Sequence, residues 1–430
     1  MRGPILQLLA TWVALWVLAA GVPPAPIPSG ERAHAHVVAL AALGPRVAGT
    51  EGDRRAREYV AASFRSSGYA VHTLPFRFRF FQTRRVRLQV LFPQSIELNA
   101  RPMIYSASTP GSVTAPLVEA GKGRERDIVG VDVFGKVVLV ERGEIPFAEK
   151  ARNASEAGAI ALIVYNHEPG SVVGTLGSPS RIPVVSISRE EGLVLLKLLR
   201  AGPVMVSLDV QTVNDERTAH NVVGAIGQTG RRLVVGAHLD SVEGSPGAND
   251  NASGVAAILE AARVLRAERT PAGLEFVAFD AEELGLYGSQ AYVRSERIRG
   301  VVGMVNLDMV GVGERFLVGN TGPDDRLVEI TLEAARRVGV RLERGRLGSS
   351  DHVPFEQAAK PAAFLHRPED PRYHSPQDTP EWVRPEFLEQ AVRVVVAVAR
   401  SPEVASLSGR KSVGRRTAEE YNGRGGEAAR

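Results

Sequence analysis

The chain has 430 residues, 44% hydrophobic and 23% charged, a globular composition long enough for two or three domains, one of which can be an insertion. Its formal charge of +4 comes mostly from scattered arginines, with no basic stripe interleaved with aromatics, which argues against a nucleic-acid partner. There is no cysteine, so disulfides, cysteine-protease chemistry, Cys-ligated zinc and anchoring through a lipidated cysteine are excluded.

At the N-terminus, Met1-Arg2 leads into an apolar stretch from Ile5 to Ala20, then Ala19-Ala20-Gly21 and a proline-rich Val22 to Ser29. That order matches a signal peptide over residues 1–21, so the body is expected to be exported to the extracellular or periplasmic side. The stretch is also close to the roughly 17–20 residues that span a bilayer, so an uncleaved anchor is the competing reading and the one membrane contact expected.

From Glu31 to about Ser67, Val37, Val38, Leu40, Leu43 and then Ala56, Tyr59, Val60 and Phe64 recur at three- and four-residue spacing, which predicts helices, the second closed by Gly68. An alternating region follows from Ala70 through Phe92. At Pro110-Gly111 the character changes to short valine-rich strands: Gly135 to Val140, a helical Phe147 to Ala157, Ala159 to Tyr165, and Ile182 to Ile187. Strand, helix, strand, strand over 110–213 reads as a small mixed domain inserted between 31–109 and 214–402.

After about Val213 the chain alternates strand and helix: Leu233 to Ala237 before a helix at Gly254 to Ala267, Leu274 to Phe279 before another, and Val301 to Leu307. Such alternation predicts an α/β fold with a mostly parallel sheet flanked by helices. Pro385 to Ala399 is the last predicted helix, and the tail 403–430, with almost nothing to bury, is predicted to be disordered.

Polar clusters interrupt these apolar strands at or just past their C-terminal ends, where open α/β sheets place ligands. In Gly236-Ala237-His238-Leu239-Asp240, Asp240 is placed to receive the second ring N–H of His238; a surface His–Asp pair is the plain alternative. Gly247 to Gly254 contains Asn249-Asp250-Asn251, which also reads as a helix cap. Phe279-Asp280-Ala281-Glu282-Glu283 offers two adjacent carboxylates that can divide two roles. Asp308, within Val301 to Val310, is the hardest to read blandly, because a buried ionised aspartate is costly unless paired or metal-bound. Tyr373-His374-Ser375 completes the set.

Two histidines and three carboxylates form a nitrogen/oxygen ligand set that suits zinc, with manganese or cobalt as substitutes. Two metals close together need a shared ligand, and Asp250 in its tight loop fits that place. Metals roughly 3.5–4 Å apart lower the pKa of a bound water to about 7, so hydroxide becomes the nucleophile at neutral pH. Glu282 can serve as general base, and Tyr373 can donate its hydroxyl to the oxyanion.

From about His36 onward the chain resembles the di-zinc aminopeptidase family M28. The resemblance is carried by Val235 to Gly254, Phe276 to Gly288, Val305 to Gly311 and Ser350 to Thr379, with Leu43 to Thr50 ahead of them. It implies two zinc ions, His238 and Asp308 on one, Glu283 and His374 on the other, and Asp250 bridging. It also implies Glu282 as general base, Asp240 orienting His238, Tyr373 as oxyanion donor, and peptides as substrates losing their N-terminal residues. The segment from about Pro110 to Val213 resembles a protease-associated (PA) domain, which implies a lid or substrate selector. Ser349-Ser350-Asp351-His352 is not read as a serine hydrolase, since no G-x-S-x-G elbow is present. The alternatives are a carboxypeptidase or dipeptidase on the same centre, a single-zinc glutaminyl cyclase-like acyltransferase, and a non-catalytic binding protein.

Overall fold

The computed structural model describes residues 26–407, except positions 171, 173, 227–229 and 267. The segment read as a signal peptide lies outside the described residues, as does most of the tail. Residues at the start of that tail are ordered: Pro402–Ser406 is a short helix that buries Val404, with Leu407 buried beyond it. Burial of Val404 and Leu407, with the Arg231 guanidinium donating to the Ala405 and Leu407 carbonyls, holds the segment, which corrects the expectation of disorder from residue 403. Among the described residues, no helix is long and apolar enough to cross a membrane.

Among the described residues, fourteen strands pair into one continuous sheet. They are β1 (Ala70–Phe92), β2 (Ile96–Leu98), β3 (Arg101–Pro102), β4 (Val113–Glu119), β5 (Val137–Glu141), β6 (Ala161–Tyr165) and β7 (Val184–Ile187), followed by β8 (Met205–Ile226), β9 (Arg232–His238), β10 (Gly273–Phe279), β11 (Val301–Leu307), β12 (Leu317–Gly319), β13 (Glu343–Arg344) and β14 (Ala362–His366). The C-terminal part of the sheet runs β12-β14-β11-β9-β10-β8, with β10, β9, β11 and β14 parallel. Every residue of β9 and of β11 is buried, as expected of parallel strands covered on both faces. The helices Gly30–Ala41, Gly254–Leu265 and Pro385–Arg400 pack against one another over one face, around Val37, Leu40, Ile258, Val392 and Val395. Ser29 caps the first of them, its Oγ accepting from Arg32 N at 3.3 Å.

The inserted unit has its own parallel set, β4-β5-β6-β7, with β3 antiparallel at its edge. Separate apolar clusters cover its two faces, one around Leu117, Leu139 and Ile163, the other around Val138, Leu162 and Val184. The unit is joined to the rest by β1 and β8, which pair antiparallel from Ala70↔Ala225 to Phe92↔Met205. The change of character read near Val213 therefore falls inside a continuous strand. Asn214 to Arg217 look like a break because they are polar, yet they pair with Phe81 to Phe78 across the ribbon.

Candidate metal centre

Three neighbouring parallel strands end together, and the residues after them converge. His238 is the last residue of β9, the Glu282-Glu283 pair follows β10, and Asp308 follows β11. The loop carrying Asp250 arrives from between β9 and its helix, and the loop carrying His374 follows β14. The two histidines do not pair with each other; Asp250 stands between them. Its Oδ1 is 3.2 Å from His238 Nε2 and its Oδ2 is 3.2 Å from His374 Nε2. Asp308 Oδ1 is 3.3 Å from the same His238 nitrogen, and Glu283 Oε2 is 3.0 Å from the same His374 nitrogen. The five residues expected as ligands thus form two groups that share Asp250.

Asp240 divides its contacts differently from expectation. His238 Nδ1 is nearest the Asp240 main-chain oxygen, at 3.2 Å, with the carboxylate at 3.7 Å. The Asp240 carboxylate instead accepts the backbone N–H groups of Glu282 at 3.0 Å and Glu283 at 3.1 Å, so it fixes the β10 exit as well as facing the ring. Tyr373 is half-exposed, with its ring stacked on His374 at 3.7 Å between centroids. Ala281, Met309 and His374 have φ of 56°, 55° and 54°, a left-handed conformation that non-glycine residues adopt at a cost and that clusters at working sites.

A metal fits this arrangement. One histidine nitrogen and one oxygen each from Asp250 and Glu283 lie within 4.8 Å of one another, all buried or nearly so. Glu283 Oε1 is buried with no partner among the described residues. Five carboxylates, from Asp240, Asp250, Glu282, Glu283 and Asp308, crowd two imidazoles, and burial of such unbalanced charge is unfavourable without cations. This crowding shifts the proton affinities of the groups. Desolvation and then the Asp250 charge push Glu283 up to about 7. Desolvation, and the charges of Glu283, Asp351 and Asp308, push Glu282 well above the usual carboxylate range against the pull of His238. Asp250 is held below that range by His238 and His374, which outweigh its burial. Burial pulls His374 down, but Glu283 and Asp250 raise it to about 10.

Several further residues support the site, and Arg46, Asp378 and Tyr105 among them escaped the sequence reading. Arg46 is fully buried and its guanidinium donates to main-chain oxygens: Nε to Leu239 at 2.9 Å, Nη1 to Pro246 at 2.5 Å and Nη2 to Gly247 at 2.8 Å. It ties down the segment between His238 and Asp250. Gly247 has φ of 60°, and a Cβ there would lie 2.4 Å from Asp250 O and 2.8 Å from Arg46 Nη2, so only glycine allows this approach. Asp378 accepts from Asn249 N at 2.7 Å and Asp250 N at 3.0 Å. Ser350 Oγ donates to Asp308 Oδ2 at 2.8 Å, a supporting contact in place of the nucleophile a serine hydrolase would need. His352 is buried and stacks on Phe364 at 4.7 Å. Tyr105, from the inserted unit, donates its hydroxyl to Leu284 O at 2.9 Å, next to Glu283. Arg46 and Asp378 both lie in the quoted motif segments, and a charged residue inside a Gly/Pro-rich motif was the signal available for each.

Residues 221–399 match the profile of peptidase family M28, and residues 113–195 match that of the PA domain. Aminopeptidase YwaD of Bacillus subtilis is 34% identical over 387 residues, covering 83% of this chain and 81% of that protein. The probable lipoprotein aminopeptidase LpqL of Mycobacterium tuberculosis is 37% identical over 288 residues, 64% of this chain and 56% of that one. Among solved structures, an aminopeptidase from Aneurinibacillus sp. strain AM-1 superposes with a TM-score of 0.78 at 35% identity, over 86% of this chain and 93% of that one. BSAP, a zinc aminopeptidase from Bacillus subtilis, gives 0.74 at 32% identity, over 87% and 94%. The chain belongs to peptidase family M28, the family of metallopeptidases, with a PA domain inserted into its peptidase domain.

Proposed function

We propose that this protein is an exported di-zinc aminopeptidase that removes single residues from the N-termini of peptides. The observation that carries the reading is Asp250, which turns one carboxylate oxygen to each of two histidines. His238, Asp250 and Asp308 would hold one zinc, and Glu283, Asp250 and His374 the other. Zinc so held supplies a Lewis acid for the scissile carbonyl and acidifies the water it binds.

The chain's own residues do the rest. Glu282 takes the proton of the attacking water on its carboxylate and returns it to the leaving amine; desolvation and the charges of Glu283, Asp351 and Asp308 raise its proton affinity above that of an ordinary carboxylate. Asp240 holds the Glu282 and Glu283 main chain in place, and its main-chain oxygen and carboxylate orient the His238 ring. Tyr373 keeps its proton, because desolvation and then the Glu283 and Asp250 charges raise its pKa, and donates it as a hydrogen bond to the carbonyl oxygen as that atom gains charge. The excess of carboxylates attracts a free α-amine, which favours exopeptidase action from the N-terminus. Export rests on the order of residues 1–21, and the similarity to a relative named as a lipoprotein aminopeptidase is in keeping with it.

The test uses a leucyl anilide with a free amine, its N-acetylated twin, and a chelator followed by zinc. Cleavage of the free-amine substrate alone, lost with chelator and restored as two zinc ions bind per chain, is the expected result. Cleavage of the acetylated twin, or full activity at one zinc per chain, would sink the reading in its aminopeptidase or its di-zinc part respectively.

A further inference from the structure

A cavity of about 360 Å³ opens from the metal centre toward the inserted unit. Glu283 and His374 line its inner end, Phe81 and Val86 of β1 line one side, and Pro102 and Ile104 come from the inserted unit. Its walls are mostly apolar, and Arg101 is the one arginine or lysine among the lining residues. Arg101 belongs to β3, paired with Ser186 of β7, and its main-chain oxygen accepts from Ser186 Oγ at 3.3 Å, so its backbone is fixed on the edge of the inserted sheet. Among the described residues, nothing pairs with its guanidinium.

The carboxylates of this cavity face groups other than Arg101. Asp240 accepts the Glu282 and Glu283 amides, Glu283 faces His374, and Glu243 accepts from Gln82 Nε2 at 3.0 Å and Thr83 N at 3.1 Å. The cavity is therefore acidic at its inner end and carries one uncompensated cation on the inserted unit. A peptide whose α-amine occupies the acidic end runs outward from the scissile bond and presents its leaving part to Arg101.

We propose that Arg101 is a specificity-determining residue that pairs with a carboxylate on the leaving-group side of the substrate. The carboxylate is the C-terminus of a short peptide or an acidic side chain just beyond the scissile bond. Guanidinium and carboxylate match in a planar, two-point geometry. Because Arg101 is exposed, the pair has the strength of a surface ion pair, a gain of about fivefold, and it weakens with added salt. This inference rests on the aminopeptidase reading.

The experiment uses the full-length, zinc-loaded enzyme. Leu-Gly, Leu-Gly-Gly and Leu-Gly-Gly-Gly are compared as free acids and as C-terminal amides, Leu-Glu-Gly amide is compared with Leu-Gln-Gly amide, and leucyl anilide reports the centre itself. The expected result is a kcat/KM advantage of about fivefold for the carboxylate-bearing member of a pair, carried by KM. That ratio falls toward one in Arg101→Gln, recovers in part in Arg101→Lys, and shrinks in high salt. An advantage for free acids at one length assigns the C-terminus, and an advantage for Leu-Glu-Gly amide assigns the side chain. Anilide cleavage with no carboxylate preference in wild type, or a preference that persists in Arg101→Gln, overturns the role of Arg101 and leaves the aminopeptidase reading standing. No cleavage of anilide or peptides overturns both.

Discussion

Asp378 accepts the backbone N–H of Asp250 at 3.0 Å, so the residue that stands between both histidines is held through its main chain by a loop from the far end of the sequence. The same carboxylate accepts Asn249 N at 2.7 Å. In Asp378→Ala both buried donors lose their partner, and the expected cost is about 2 kcal/mol or more of stability. Zinc content should fall with it. Chemical unfolding and metal analysis check this; a variant with full zinc and wild-type stability contradicts the arrangement.

Removing the Glu282 carboxylate separates chemistry from binding. Glu282→Gln keeps the side chain's size and both backbone N–H bonds to Asp240, so zinc content is expected to be unchanged. Loss of a general base lowers kcat by roughly 10²–10⁴-fold. Steady-state kinetics beside metal analysis decide it, and a loss of zinc that parallels the loss of rate would make Glu282 a ligand.

Arg46 donates to three carbonyls of the loop between His238 and Asp250. Arg46→Met leaves those oxygens buried and unpaired, with an expected cost of about 3 kcal/mol. Arg46→Lys, which keeps the charge but not the fork, should recover only part of that. Denaturant midpoints for the three proteins give the order directly.

His352 is buried, and desolvation lowers it to about 3, outweighing the opposing pull of Asp308. The unfolded chain, with an ordinary histidine near 6.5, therefore binds more protons than the folded one between those values. Stability present above pH 6.5 is lost as pH falls toward 3, and by pH 5 the loss from this one residue is about 2 kcal/mol. His352→Phe removes that titration, so its stability difference between pH 7.5 and pH 5 should be smaller than that of wild type by that amount. Equal differences in the two proteins would show that His352 is not held neutral.

Much of the site could be read from the sequence because its chemistry sits at element boundaries. His238, Glu282, Glu283 and Asp308 are polar residues at or just past the ends of buried, mostly apolar strands, and a run of buried strand can end in a carboxylate only for a reason. The contacts that cross long stretches of chain were not legible. Nothing local to Asp378 says that it reaches Asp250, and nothing local to Arg46 says that its acceptors are some 200 residues away. The course of β8 was hidden for another reason. Its polar middle, Asn214 to Arg217, looks like linker, and it is strand because β1 pairs with it residue by residue. Asp240 shows a third limit, since spacing along a strand indicates that it stands near His238 but not which of its oxygens faces the ring.

The shared strands β1 and β8 also govern how the molecule can come apart. A domain joined by linkers can be cut out and leave both pieces whole; here a cut through the ribbon would strip β10 of its antiparallel neighbour and β4 of its own. Each piece would be left with an open sheet edge, the kind of surface that pairs with other chains. The inserted unit is thus a load carried on a beam rather than a bead on a string. The two units should melt in one transition, and deletion of the insert should yield aggregate instead of a smaller enzyme.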